Sequence, residues 1–248
     1  SDDPVAASRL RALDRLNRRG ETEAQNAARL GQDLGETANE IEGVVSILQR
    51  ARELAVAGAS DTMGADGRNA IADELEQMEQ ELFARANSRS VTGAPLFSGT
   101  AGAPTYVRDA GGVVSYAGNT DVATVQVAPG IDIERGVNGP QVFEFEANGT
   151  QSTTFAALTD LAAALRGGAA NPAQAAQDAI VGIDAAIDTV NRSQTVVGTR
   201  LAWVEAIQQD QETRKIGLAE KRSEIGDTEV ADTIAIVELG IAQATFVD

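Results

Sequence analysis

The 248-residue chain contains no cysteine and no histidine, and only 4% of its residues are aromatic. Without cysteine there are no disulfides, no thiolate nucleophiles and no cysteine-bound metal clusters. Without histidine there is no imidazole base, no histidine-containing catalytic triad and no histidine-bound metal. These absences remove the usual parts of most enzymes. An enzyme that uses only carboxylates stays open, but with most catalytic parts absent we expect a protein that is not an enzyme and that carries no cofactor.

Positive charge is also scarce. The chain has 20 basic and 37 acidic side chains, which gives a formal net charge of −17. Binding to nucleic acid needs Lys and Arg at the phosphates, and an acidic protein is repelled by anionic lipid surfaces. No apolar run approaches the eighteen or so residues that a membrane-spanning helix needs. We expect no nucleic-acid binding and no membrane insertion.

The composition divides the chain into three parts. Residues 1–92 are rich in Ala, Leu, Arg, Glu and Gln, and this character returns from residue 172 onward. Residues 93–150 hold four of the six prolines and most of the β-branched, glycine-punctuated sequence. This pattern predicts an α+β fold. Residues 1–98 and 172–248 would form one helical rod domain, and residues 99–171 would form a small β-rich domain inserted into it.

The first flank carries a long helical repeat. Asp2 or Asp3 can cap a helix whose first turn contains Pro4, and the helix is predicted to run to about Ser60. Its apolar positions recur with 4-3-4-3 spacing and have one polar member, Thr37. These positions are Leu30, Leu34, Ile41, Val44, Leu48, Ala51 and Ala55. A 3.5-residue repeat predicts the seam of a helical bundle or coiled coil.

Three more helices are predicted from the same kind of spacing. One runs from Ile71 to Ala86, and one opens at Pro172. A break at Gly226–Thr228 would separate the latter from a final helix. The Pro172 helix would place Ile180, Ile183, Ile187, Val190, Val197, Leu201 and Val204 on its seam, and the final helix Val230, Ile234, Val237, Ile241 and Ala244. The repeat is still running at Asp248, so we expect the natural terminal segments to be missing.

The middle of the chain reads as short strands separated by turns. The strands are predicted at residues 113–116, 123–127, 131–134 and 142–146. The turns are predicted at Gly111-Gly112, Pro129-Gly130, Asn138-Gly139 and Asn148-Gly149. A helix capped by Thr153 or Thr154 would then run to Arg166, and Gly167-Gly168 would end it.

Two groups of charged residues are candidates for a site. Asp132, Glu134, Glu144 and Glu146 could converge on one sheet face and hold Ca²⁺, although no loop has calcium-binding spacing, and the alternative is a solvated sheet face. Arg50, Arg52 and Glu53 flank the seam of the first helix. They are the candidate intersubunit contact, since Arg is favoured over Lys at interfaces.

Three segments carry a resemblance to a known family. Ser1–Ala7 is similar to the start of the long first-domain helix of flagellins and their junction relatives. Leu48–Val56 is similar to the most characteristic helical segment of the same group. Gly93–Thr100 has the Gly-x-x-Leu-Phe-x-Gly-Thr pattern of the junction branch, with Ala94-Pro95 in place of its usual Arg-Tyr pair.

The resemblance implies a structural subunit of the extracellular flagellum that joins hook to filament as a self-assembled ring. It would be exported by the flagellar type III system. Its implied partners are copies of itself, the adjoining hook-associated protein, flagellin, and an export chaperone that binds the missing C-terminal segment. Two alternatives stay open. One is a flagellin of the filament proper, and the other is a surface binding module recognised through the insert or through the first-domain helices that contain Arg50, Arg52 and Glu53.

Overall fold

The computed structural model describes residues 4–102 and 104–244, and it describes side chains for residues 7–102 and 104–225. The chain forms two compact units. The central unit contains Leu30–Val125 and Ile133–Trp203. The terminal unit contains the chain up to Arg29, the segment Gln126–Asp132 and the chain from Val204 onward. The predicted caps Asp2 and Asp3 lie outside the described residues.

Helices dominate the described part of the chain, which confirms the helical part of the predicted α+β class. The long helix α1 spans Pro4–Gly58, and α2 spans Ala65–Ala86. A five-residue helix, α3, spans Gly139–Phe143. Helix α4 spans Thr154–Ala163 and is followed by a π-helical turn, Ala164–Gly168. Helix α5 spans Pro172–Ala244.

The predicted seam of α1 is confirmed, since all seven of its apolar members are buried. The polar member Thr37 is also buried, and its hydroxyl donates to the Asp33 carbonyl oxygen at 2.8 Å. A threonine can therefore occupy the seam because the preceding turn of its own helix satisfies its hydroxyl. Within the central unit α1 and α5 run antiparallel. Arg52 pairs with Asp184, and six residues further along α1 Gly58 lies against Ala176.

The predicted seam of α5 is confirmed at four of its seven positions. Ile183, Val190, Val197 and Val204 are buried, but Ile180, Ile187 and Leu201 are only partly buried. The second buried row lies three residues after the first, at Ala186, Ser193 and Ile207. At Ser193 the small side chain lets other backbone approach the helix. The Ser193 hydroxyl donates to the Gln141 carbonyl oxygen at 2.6 Å.

The predicted break at Gly226–Thr228 is wrong, because α5 continues through it to Ala244. A glycine inside a helix costs only about 1 kcal/mol relative to alanine, so a single one does not end a helix. The side chains of the apolar positions predicted beyond this point lie outside the described residues.

Within the described residues, six strands form three separate two-stranded sheets. Their bounds are Tyr106–Arg108 (β1), Val114–Tyr116 (β2), Thr124–Ala128 (β3), Ile131–Glu134 (β4), Glu144–Ala147 (β5) and Thr150–Thr153 (β6). Strands pair in chain order as β1–β2, β3–β4 and β5–β6. All six strands lie between the helical flanks, as predicted. The domain boundaries at 98/99 and 171/172 stay predictions, because the two compact units divide α1 and α5 themselves.

The strand predicted over 142–146 begins too early. Residues Gly139–Phe143 form α3, because Asn138 and Gln141 make a reciprocal capping box. The Asn138 side chain accepts from the Gln141 backbone N–H, and the Gln141 side chain accepts from the Asn138 backbone N–H, both at 3.1 Å. Pro140 sits in the first turn, where a proline is tolerated. The predicted Asn138-Gly139 turn is therefore a helix start.

An aromatic cluster forms the core of the β-rich part. Phe97, Tyr106, Phe143 and Phe155 are each at most 2% exposed. The Phe143 ring lies 5.4 Å from the rings of Phe97 and Tyr106 and 5.5 Å from that of Phe155. Phe155 belongs to α4, which packs against α2. Burying these rings against a helix gives the short hairpins the apolar support that isolated hairpins lack.

The terminal unit contains parts of both long helices and the tip of the β3–β4 hairpin. Asp14 of α1 and Arg222 of α5 form an ion pair at 3.2 Å. The hairpin tip is held by two amide side chains. Asn26 donates to the Gln126 carbonyl oxygen at 3.0 Å, and Gln211 donates to that of Val127 at 2.5 Å.

Candidate interaction surface

The predicted contact residues Arg50, Arg52 and Glu53 lie on the exposed side of α1. Their side chains are 51%, 47% and 68% exposed. The residues between and around them, Ala51 and Leu54, are buried in the central unit. The helix periodicity therefore places the three charges at the surface, while Ala51 and Leu54 of the same turns pack into the core.

Both arginines form ion pairs within the chain. Arg50 donates to Glu74 of α2 at 2.7 Å and to Glu53 at 2.9 Å. Arg52 donates to Asp184 of α5 at 2.5 Å. The hydrogen bonds that Arg50 donates to Glu74 and Glu53 raise its pKa, and the one that Arg52 donates to Asp184 raises the pKa of Arg52. The two guanidinium groups thus link α1 to its two neighbouring helices.

An exposed apolar pair lies one turn from the Arg52–Asp184 ion pair. Val56 follows Arg52 by four residues on α1, and Val181 precedes Asp184 by three on the antiparallel α5. Residues at these spacings share a helix face, so both valines border the same stretch of surface. Val56 is 51% exposed and Val181 is 48% exposed. This surface combines apolar and charged groups, which is the composition of many protein contacts.

Ion pairs also fasten the β-rich part to the helices of the central unit. Arg108 of β1 places one guanidinium nitrogen 2.8 Å from both carboxylate oxygens of Glu79, whose side chain is only 6% exposed. The same guanidinium lies 4.9 Å from the centre of the Phe83 ring. Arg135 pairs with Asp33 of α1 at 2.8 Å. These contacts hold the hairpins in fixed positions on α1 and α2.

The segment Gly93–Thr100 connects α2 to the hairpins. Its Phe97 is buried in the aromatic cluster, and the Phe97 carbonyl oxygen accepts from the Tyr116 hydroxyl at 3.0 Å. Gly99 has a φ of +67°, and a Cβ there would lie 2.3 Å from the Asn119 carbonyl oxygen. Only glycine fits this position. The motif therefore anchors one end of the inserted segment through Phe97 and through Gly99, the second glycine of the pattern.

No metal centre is found within residues whose side chains are described, since no group of three or more acids there could hold an ion. Asp132 and Glu134 lie on β4, and Glu144 and Glu146 lie on β5, in a different sheet. Glu134 pairs with Arg200 of α5. The four acids therefore lie in two different two-stranded sheets and do not share one sheet face.

Two clefts in the described part of the chain have mixed linings. One, of about 750 Å³, lies in the terminal unit between α1 and α5 and carries both acidic and basic side chains. A cleft of about 260 Å³ in the central unit is lined by the Asp33–Arg135 pair and by residues of the Gly93–Thr100 segment. Among the described residues, no helix is long and apolar enough to cross a membrane.

Comparisons with known proteins agree with this arrangement. Residues 1–102 match the family model of the bacterial flagellin N-terminal helical region. Over 268 aligned residues the chain is 25% identical to flagellar hook-associated protein 3 of Escherichia coli, covering 99% of this chain and 83% of that protein. A solved flagellar hook-associated protein from Vibrio parahaemolyticus superposes with a TM-score of 0.82 at 21% identity, covering 90% of this chain and 99% of that one.

The chain has the fold of flagellar hook-associated protein 3. The flagellar junction protein FlgL from Legionella pneumophila also superposes on it, with a TM-score of 0.74 at 14% identity, covering 88% of this chain and 99% of that one. The resemblance inferred from the three sequence segments is confirmed. In this hook-associated protein 3 fold, Arg50, Arg52 and Glu53 lie on the long first helix, within the part matched by the flagellin model. Their role as an intersubunit contact stays a prediction.

Proposed function

We propose that the chain is a structural subunit of the bacterial flagellum that joins the hook to the filament. The observation that carries this proposal is that the likeness to junction proteins extends over almost the whole chain, rather than over one domain. The subunit acts outside the cell, after export by the flagellar type III system. It works by assembly and performs no reaction.

The fold suits a subunit that transmits force. Long antiparallel helices offer extended faces for side-by-side packing, and the β-rich part is fastened to them by buried rings and ion pairs. Neighbouring copies, the adjoining hook-associated protein and flagellin are the proposed partners, with an export chaperone bound through a C-terminal segment. Residues 99–171 are proposed to form the outer domain, and residues 1–98 and 172–248 the rod.

The test is to delete the gene and examine the cells by electron microscopy. We expect hooks without filaments and flagellin shed into the medium, both reversed by restoring the gene. Immunogold labelling of the protein should then be confined to the hook–filament boundary. Labelling along the filament would instead identify a flagellin of the filament proper.

The contact role of Arg50, Arg52 and Glu53 needs a separate test. Glu53 is the most exposed of the three, and its replacement leaves the Arg50–Glu74 pair available. Glu53→Lys is expected to reduce the number of filaments per cell. The matched control is Glu42→Lys, an equal charge change at another exposed position of α1. Equal filament numbers for the two variants would remove Glu53 from the interface.

A further inference from the structure

The most unusual charge pattern lies on α1 within the terminal unit. Residues 7–20 contain five arginines and one acidic residue, in a chain whose net charge is −17. Arg11, Arg15, Arg18 and Arg29 are all exposed. They are separated by four, three and eleven residues, and eighteen residues complete about five turns of an α-helix. The four side chains therefore form one line along the helix, which we call the α1 arginine stripe.

The stripe faces away from the packed side of its own unit. Ala27 is fully buried, and Arg29 lies two residues further on, about 200° around the helix. The stripe is about 27 Å long at 1.5 Å per residue. Both acids nearest to it are already engaged, because Asp14 pairs with Arg222 and Glu21 accepts from Asn17.

Most other arginines of the chain are neutralised internally. Ten of the eighteen form ion pairs with carboxylates: Arg19, Arg50, Arg52, Arg85, Arg108, Arg135, Arg166, Arg200, Arg214 and Arg222. Within residues 7–102 and 104–225, none of the four stripe arginines has such a partner. Arg18 reaches only the Asp14 carbonyl oxygen, at 3.5 Å. As far as the side chains are described, four exposed cations in one line are therefore left for an external partner.

We propose that the α1 arginine stripe binds an acidic face of a second copy of this chain. The inference rests on the proposed ring of identical subunits and names one of its contacts. Each copy also carries exposed acids without an arginine partner, such as Asp160, Asp188 and Glu205. Every copy thus carries exposed charges of both signs. Within a Debye length of about 8 Å, such local charges outweigh the net charge of distant parts of the molecule.

The charges also limit the geometry of the contact. Two stripes placed directly against each other would bring like charges together, which is unfavourable. In the proposed ring the stripe therefore meets a different surface of its neighbour, which is a heterologous contact. Repeated heterologous contacts generate rings or helical assemblies rather than closed pairs. Nucleic acid and anionic lipid suit the stripe less well as partners, because the surplus of acids over the rest of the surface would repel them.

The first experiment compares two double variants with equal charge changes in the strain that lacks the gene. R11E/R15E reverses two stripe arginines, and the control R89E/R192E reverses two exposed arginines elsewhere that have no carboxylate partner. Circular dichroism and blots of exported protein verify folding and secretion. We expect about tenfold fewer filaments per cell for the stripe variant. The control should stay within about twofold of the unaltered protein.

The outcomes separate the two proposals. If the unaltered gene fails to restore filaments, the junction function is wrong. If it restores them and both double variants match it, the stripe contact is wrong. Should R11E/R15E be exported poorly, R11Q/R15Q removes the same charges without adding acids. R11Q/R15Q should then also lower the number of filaments per cell, by a smaller factor. Normal filament numbers would refute the contact.

A second experiment identifies the occupant directly. Because the chain has no cysteine, Thr22→Cys introduces a single thiol on the stripe side of α1, between Arg18 and Arg29. A benzophenone attached there is photoactivated in isolated flagella, and the products are identified by mass spectrometry. We expect a species of twice the subunit mass, linked to an acid-rich peptide of the same chain. A link to another protein, or none at all, would overturn the proposal.

Discussion

The hydroxyl of Tyr106 provides a sharp test of the aromatic core. The side chain is 2% exposed, and its hydroxyl has no hydrogen-bond partner. Tyr116, whose ring centre is 5.2 Å away, differs in this respect. Its hydroxyl donates to the Asn119 carbonyl oxygen at 2.6 Å and lies 3.0 Å from that of Phe97. Removing each hydroxyl should therefore have opposite effects on stability.

The magnitude follows from desolvation. A buried hydroxyl without a partner costs about 1–3 kcal/mol, and phenylalanine keeps the shape of the ring. Tyr106→Phe should raise the free energy of unfolding by about 1 kcal/mol and Tm by about 2–4 °C for a chain of this size. Tyr116→Phe leaves the Asn119 carbonyl oxygen without its hydroxyl donor, whereas that of Phe97 keeps the Gly139 N–H at 2.7 Å. The substitution should therefore lower the free energy of unfolding by about 1 kcal/mol.

Alkaline pH should enlarge the effect at Tyr106. Burial, with the nearby Glu144 and Tyr116, raises the pKa of Tyr106 well above its ordinary value of 10.0. Below pH 10 both folded and unfolded states keep the proton, so no stability is lost. Above it the unfolded tyrosine ionises while the folded one stays neutral, and stability falls by about 1.4 kcal/mol per pH unit. Tyr106→Phe should remove this loss.

Urea denaturation followed by far-UV circular dichroism measures these differences at pH 7 and pH 11. The chain suits an alkaline experiment because its only other phenol is Tyr116 and it has just two lysines, Lys215 and Lys221. A destabilised Tyr106→Phe variant at pH 7 would show that the hydroxyl has a partner, such as an internal water. An unchanged pH dependence would refute the argument from burial.

Three further substitutions test other contacts by thermal denaturation. Arg108→Met leaves the buried Glu79 carboxylate unpaired and should lower the free energy of unfolding by about 3 kcal/mol. Adding Glu79→Gln should recover most of this loss, and no recovery would mean that lost packing dominates. Asn138→Ala removes the capping box of α3 and should cost about 1 kcal/mol, whereas an unchanged Tm would make the cap dispensable. Phe143→Ala empties the centre of the aromatic cluster and should cost about 3–5 kcal/mol; a much smaller loss would indicate that neighbouring rings close the cavity.

The long-range helical repeat made the helices predictable. The seam of α1 could be read from spacing because its large side chains all point to one face. On α5 the same reasoning selected the larger residues Ile187 and Leu201. The structure buries the small Ala186 and Ser193 instead, and at Ser193 the carbonyl oxygen of Gln141 approaches the helix. Sequence spacing alone does not show which neighbouring row a partner covers.

Short elements were less predictable. Strand β1 has only three residues and no clear alternation, and its place depends on Asn87, whose side-chain oxygen accepts from the backbone N–H groups of Thr105 and Tyr106. The Asn138–Gln141 capping box was a readable signal for α3, but Asn-Gly also favours turns. At the candidate contact, the exposure of Arg50 and Arg52 was foreseeable. Their intrachain partners lie 24 and 132 residues away, so no local pattern could reveal them.

The distribution of aromatic residues also separates the optical signals of the molecule. Trp203 is the sole tryptophan and is 49% exposed on α5, whereas both tyrosines pack within the aromatic cluster. Fluorescence excited at the red edge of absorption thus reports on solvent and contacts along α5. Near-ultraviolet circular dichroism in the tyrosine band reports on the packing beneath the hairpins. Assembly along the helices and loosening of the β-rich part can therefore be followed separately, without any added label.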